Sequence, residues 1–220
     1  MPFTNNTFTV LNEIGNGYAC NNQLPPLIGA DLDDIATGLT TVATTLAQNP
    51  AQVIPVTTIT TAASFDIVLG TQINTYRKFS IIITDLLQTT NGDLTLQCSG
   101  DGGVTFDSTS NAYTWFYQYT RNDGVQSHSF NETTATAALI GWGSSDPKYT
   151  SDLTIDCYHL NGTTNYKKFN VNGTLGNNND LYVAQFGAAY WSVTTAVNAL
   201  RFLDDNAGLI TCKYSVYGWI

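Results

Sequence analysis

Charge is scarce in this chain. Only 11% of its 220 residues are Asp, Glu, Lys or Arg, less than half the share of an ordinary soluble domain. Basic residues are the scarcest: eight Lys and Arg against seventeen Asp and Glu leave a formal net charge of −9. The adjacent basic pairs, Arg77–Lys78 and Lys167–Lys168, do not amount to a patch. Such a surface repels phosphate backbones and anionic lipid, which excludes nucleic acid as a partner. Long apolar runs are also missing. A membrane-crossing helix needs about 18 consecutive apolar residues, and no such stretch occurs, so no membrane insertion is expected. The opening MPFTNNTFTVLNEIGNGYAC has neither a basic start nor a continuous apolar run. It does not read as a signal peptide, and the expectation is assembly in a cytoplasm.

The groups that do chemistry are few as well. Glutamate occurs at Glu13 and Glu132, histidine at His128 and His159, and arginine at Arg77, Arg121 and Arg201. There is no G-x-S-x-G elbow, P-loop, dinucleotide fingerprint or EF-hand loop. Glycoside hydrolysis needs two carboxyls facing each other across a cleft, and most of the aspartates fall in turn-like segments. The cysteines are Cys20, Cys98, Cys157 and Cys212, without a C-x-x-C pair. Three of them sit among apolar neighbours in LTLQC, LTIDC and ITCKY and read as buried free thiols. Cys157 and His159 would share a strand face, but two ligands do not make a zinc site. Asp204 and Asp205 in LDDNAG read as a β-turn rather than a calcium loop. No catalytic residue, cofactor or metal is expected.

What the sequence has instead is Thr, Asn, Ser and Gly around short alternating runs. From about residue 56 these runs recur every ten to fifteen residues with almost no helix between them. YRKFSIIITDLL places Phe79, Ile81 and Ile83 on one face; GDLTLQC does the same with Leu94, Leu96 and Cys98. ITCKYSV sets Ile210, Cys212, Tyr214 and Val216 against Thr211, Lys213, Ser215 and Tyr217. About ten such strands, LYVAQF and AAYWSVTTAV being read as two separate ones, predict an all-β fold, an antiparallel β-sandwich of jelly-roll type over residues 56–220.

Residues 1–55 differ in texture and form an N-terminal arm with one helix, about 28–48. Its apolar positions Ile28, Leu32, Ile35, Leu39, Val42 and Leu46 are spaced four, three, four, three, four, a heptad seam. Asp31 serves as N-cap, and Asn49–Pro50 ends the helix. Gly38 costs on the order of 1 kcal/mol against Ala, so the helix must bury its stripe. The narrow seam assigns these six residues to oligomerisation, with packing on the chain's own β-unit as the other outcome. β-Branched residues at one heptad position and Leu at the other favour dimers in parallel coiled coils.

Two motifs remain. SGDGGVTF fits an Asp-box hairpin through Ser99, Asp101, Gly103, Thr105 and Phe106, read as a structural turn leading into a strand VTFDS. AYTWFYQYT puts Tyr113, Trp115, Tyr117 and Tyr119 on one face of a strand. That face is either core or interface, or a platform on which a sugar stacks. The candidate ligand-binding residues are Trp115, Tyr117, Tyr119, Trp142, Tyr190 and Trp191.

The last strands, NALRFLDDNAGLITCKYSVYGWI, resemble the C-terminus of tailed-bacteriophage virion proteins. The matching residues are Leu200, Arg201, Phe202, Gly208, Tyr214, Val216, Tyr217 and Gly218, with a GDGG hairpin and an aromatic strand upstream. Asp204–Asp205 and Cys212–Lys213 depart from that pattern. The resemblance implies a non-enzymatic jelly-roll module on a phage virion: a tail or head fibre that binds host-surface glycan, or a capsid decoration protein. It also implies a homotrimer and other virion proteins as partners. A glycan-cleaving enzyme is the remote alternative. Arg201, beside Leu200 and Phe202, is expected to make a structural ion pair or an interface contact, with Asp204 or Asp205 as the candidate partners.

Overall fold

A computed structural model describes residues 50–177 and 181–220, with Asp34, Ile35 and Thr37 ahead of them; at 129–134, 142, 177 and 181 it describes the backbone alone. The chain divides into two units, Met1–Gln48 and Asn49–Ile220. In the first unit Asp34, Ile35 and Thr37 have helical backbone, and the Ile35 side chain is exposed. Ile28, Leu32, Leu39, Val42 and Leu46 lie outside the described residues, as does Cys20.

The described residues of the second unit form twelve strands. They are β1 Ala51–Ala62, β2 Ser64–Val68, β3 Lys78–Gln88, β4 Asp93–Ser99, β5 Tyr113–Arg121 and β6 Gln126–Ala135. They continue with β7 Ala138–Trp142, β8 Ser151–Tyr158, β9 Lys167–Asn177, β10 Leu181–Trp191, β11 Ala199–Asp204 and β12 Ile210–Trp219. The eight-stranded sheet runs β1-β12-β3-β8-β9-β10-β5-β6, and the four-stranded sheet β2-β11-β4-β7. Every strand pairing is antiparallel.

Period-two burial explains why these runs are strands. Ile210, Cys212, Tyr214 and Val216 of β12 point inward, opposite Thr211 and Lys213. Leu94, Leu96 and Cys98 of β4 do the same. In β3 the inward set is Phe79, Ile81 and Ile83, and then a bulge intervenes. Asp85 adopts a left-handed φ of 54°, which resets the parity so that Leu86 and Gln88 turn inward. Both sheets contribute to one core. Phe65 of β2 stacks on Phe202 of β11 with ring centroids 4.9 Å apart and on Tyr214 of β12 at 5.3 Å, which bridges the two layers. Cys98, Cys157 and Cys212 are buried free thiols, pushed above the ordinary thiol pKa by burial.

Four expectations are corrected. The run VTFDS is a loop, not a strand. It leaves a turn in which Ser99 Oγ donates to Asp101 Oδ1 at 2.7 Å and Thr105 Oγ1 donates to Asp101 Oδ2 at 2.6 Å. Gly102 and Gly103 take φ of 80° and 90°, a conformation glycine adopts without steric cost. Arg201 pairs with Asp66, not with Asp204 or Asp205: its Nε and an Nη hold both carboxylate oxygens at 2.8 and 2.9 Å. The reason is sidedness, because Asp204 is buried while Arg201 faces outward beside Asp66 and the Phe106 ring, 4.0 Å away. Cys157 and His159 do not share a face. The strand ends at Tyr158, and His159 turns out to solvent with φ 61°. Finally, LYVAQF and AAYW, read as separate strands, are the single strand β10.

Candidate functional site

Two hairpins, β9–β10 and β5–β6, form one end of the large sheet. They join where β10 pairs with β5. Their register decides which aromatic side chains meet solvent.

The inner row of β5 is Tyr113, Trp115, Tyr117 and Tyr119. Trp115 stacks on Tyr117 with centroids 5.6 Å apart, and Tyr117 on Tyr119 at 6.2 Å. Tyr113 and Tyr117 are buried, while Trp115 and Tyr119 are half-buried against the core. The Tyr113 hydroxyl accepts from the Cys98 amide at 2.8 Å and donates to the Asp107 carbonyl at 2.9 Å. That satisfies the polar handle a buried tyrosine carries. Across the ladder, Ala189 faces Trp115 and Gly187 faces Tyr117. A Cβ at Gly187 would lie 2.6 Å from the Phe116 carbonyl oxygen, so glycine permits this close approach. Trp191 is buried too, its Nε1 donating to Asp107 Oδ2 at 2.7 Å. Trp142 ends β7, and its side chain lies outside the described residues. Of the six sequence candidates, the structure thus brings Trp115, Tyr117 and Tyr119 together on the inner face. It places Tyr190 on the opposite face of the sheet, 39% exposed.

That opposite face carries the residues that sequence reasoning missed. Along β10 the outward positions read Tyr182, Ala184, Phe186, Ala188 and Tyr190, an aromatic at every fourth residue. Tyr182 is 63% exposed and Phe186 51%. Phe116 of β5, 41% exposed, pairs with Ala188. It is therefore diagonal to both Phe186 and Tyr190, within reach of large side chains. At about 3.4 Å per residue the row from Tyr182 to Tyr190 spans about 27 Å. Its flanks are mostly neutral and hydrogen-bonding, Asn170, Asn172 and Thr174 on β9 and Thr114, Gln118 and Thr120 on β5, with Lys168 beside Tyr190 at one end. At the Tyr182 end an open depression of about 320 Å³ is lined by Thr120, Asn122, Thr174, Tyr182 and Ala184, among others. Tyr149 meets the edge of the Tyr182 ring at 6.1 Å. It can do so because Gly176, the partner of Tyr182, has no Cβ to strike the Tyr149 backbone. The signal was available: the alternation is visible once 181–191 is read as one strand.

A second cluster is acidic. Asp204 is buried, accepting from Gln88 Nε2 at 2.6 Å, Thr90 Oγ1 at 3.0 Å and the Asn206 amide at 2.7 Å. Asp205 Oδ1 accepts from the Asp93 amide at 2.7 Å. These bonds knit the loop before β4 to the β11–β12 turn, so the carboxylates lock turns rather than face a cleft. Burial, with Asp205 and Asp204 nearby, raises the Asp93 pKa to about 6. A carboxyl whose pKa is higher folded than unfolded makes the fold lose stability as pH rises from about 4 to 6. Asp93→Asn is therefore expected to raise unfolding free energy at pH 7.5 by about 1–2 kcal/mol, after discounting the shift for partial exposure. The gain should vanish near pH 3.5. Urea melts at the two pH values check it, and equal gains at both would show that charge is not the cause.

Among the described residues no group of three His, Cys, Asp or Glu side chains is placed to hold a metal ion, and no helix is long and apolar enough to cross a membrane. Comparison with protein-family models, curated proteins and solved structures finds no match to this chain.

Proposed function

We propose that this chain is a non-enzymatic, fibre-type surface protein of a tailed-bacteriophage virion, assembled in the host cytoplasm as a homotrimer, that binds host-surface glycan. The observation that carries the reading is the order in which strands pair. Setting aside the β5–β6 and β9–β10 hairpins, eight strands remain. They pair as one long hairpin would if rolled up: β1 with β12, β2 with β11, β3 with β8 and β4 with β7. β12 then joins β3, and β11 joins β4, giving two four-stranded layers. That order supports reading the two sheets as a jelly roll, a sandwich of two Greek keys.

The residues that carry the phage resemblance fall in its closing strands. Leu200, Arg201 and Phe202 lie in β11, Gly208 in the turn, and Tyr214, Val216, Tyr217 and Gly218 in β12. The two hairpins left over widen one layer into the exposed aromatic surface. Binding residues on additions to a rigid scaffold are the usual division of labour in β-proteins. The Asp-rich loops bond to backbone amides and side-chain donors, which favours binding over hydrolysis.

Light scattering of the full chain is expected to give a trimer, and a monomer would overturn the self-association. Incubated with purified bacterial envelope polysaccharide, the protein should bind without releasing reducing ends. Release would favour the glycan-cleaving alternative. Saturable binding to stripped capsids, with none to envelope, would favour capsid decoration.

A further inference from the structure

Resting on the glycan-binding reading, we infer that the outward face of β9, β10 and β5 is the binding site. The ligand is an uncharged polysaccharide lying along β10 from the Tyr182 depression to Tyr190. Three features select that chemistry. First, Phe116, Phe186, Tyr190 and Tyr182 together expose on the order of 400 Å² of ring, in the range of patches that mark interaction sites. That is about half of the ~800 Å² per partner that a stable protein interface buries. Three of the rings are set out along β10, with Phe116 beside them on β5, and Ala184 and Ala188 keep the floor flat between them. A narrow polymer matches this row better than a second folded surface does.

Second, the rings alternate with amides and hydroxyls. A pyranose has an apolar C–H face and a rim of hydroxyls. The faces stack on Phe186 and Tyr190, while Asn170, Asn172, Thr174 and Gln118 are spaced to exchange hydrogen bonds with the rim. Third, the charge is balanced. Lys168, paired with Tyr190, and Asp152, paired with Thr174, stand at opposite ends. The Arg121 guanidinium beside the depression is paired with Asp123. Among the described residues no cation cluster is present to hold a polyanion, and the net charge of −9 opposes one.

The test is affinity electrophoresis of the full chain through gels cast with neutral polymers (a glucan, a mannan and a galactan) or anionic ones (polysialic acid and a teichoic acid). It is run on wild type, Phe186→Ala, Tyr190→Ala and Phe116→Ala. At least one neutral polymer should retard the wild type, and each substitution should weaken that retardation by about tenfold or more, with the melting temperature unchanged. Retardation that the three variants leave intact would overturn this site while keeping glycan binding. Retardation by anionic polymers alone would overturn the ligand class. No retardation by any polymer would overturn both this inference and the glycan reading beneath it. A change in oligomer size in Phe186→Ala would show that the face is covered by another copy, and would also overturn the inference.

Discussion

Lys167→Ala is expected to lower the unfolding free energy by about 3–5 kcal/mol, one of the two largest effects of a single substitution in this fold. Lys167 opens β9 with its side chain fully covered. Its ammonium donates to the carbonyls of Gly162 at 2.6 Å, Asn165 at 3.0 Å and Thr194 at 3.2 Å. Burial holds its pKa below the ordinary lysine value, yet three carbonyl dipoles replace the water it gave up. Gly162 and Asn165 precede β9, and Thr194 follows β10. The ammonium thus clamps both ends of the β9–β10 hairpin, the base of the aromatic surface. Alanine leaves a cavity and removes the partner of three carbonyls together. Lys167→Met keeps most of the volume and loses only the bonds, so it should cost less, about 1.5–3 kcal/mol. Chemical denaturation measures both. A methionine variant as stable as wild type would show that the clamp contributes nothing. Hydrogen exchange in β9 and β10 should rise before exchange in β3 or β12.

The second large effect is Phe65→Ala, expected to cost about 3–5 kcal/mol. Phe65 stacks on Phe202 within its own sheet and on Tyr214 in the other, so its removal opens a void where the layers meet. Phe186→Ala removes the same ring from the outer face, where 51% of it already meets water. That change should stay within about 0.5 kcal/mol. Equal costs for the two would mean that the faces have been assigned the wrong way round.

Much of this was legible in the sequence, because period two is a strong signal wherever one face is buried. The β12 alternation and the inward sets of β3 and β4 could be read directly. So could the Asp-box turn, whose Ser99, Asp101 and Thr105 stand at the spacing their hydrogen bonds require. Partners distant in sequence could not be read. Asp66 and Arg201 meet only because β2 pairs with β11, which no local pattern announces. The outer aromatic row was obscured by richer signals nearby. Four aromatics at alternate positions make the inner face of β5 the stronger pattern. On β10 the alanines and Gly187 broke the apparent pattern into two short strands. Alanine there keeps the floor flat, and glycine leaves room for Tyr117. Both are packing requirements of neighbouring strands and leave no trace in periodicity.

Opposite faces of β5 and β10 have opposite tasks in this proposal, one packing the core and the other meeting the ligand. Hydroxyl-radical footprinting with mass spectrometry, with and without a neutral polysaccharide that retards the protein, measures both faces in one experiment. Phe116, Phe186 and Tyr190 should be oxidised readily in the free protein and become protected when the polymer is added, while Tyr113 and Trp191 stay unreactive throughout. Ready oxidation of Tyr113 and Trp191, or protection by polymer at Trp115 and Tyr119 with Phe186 unchanged, would contradict it.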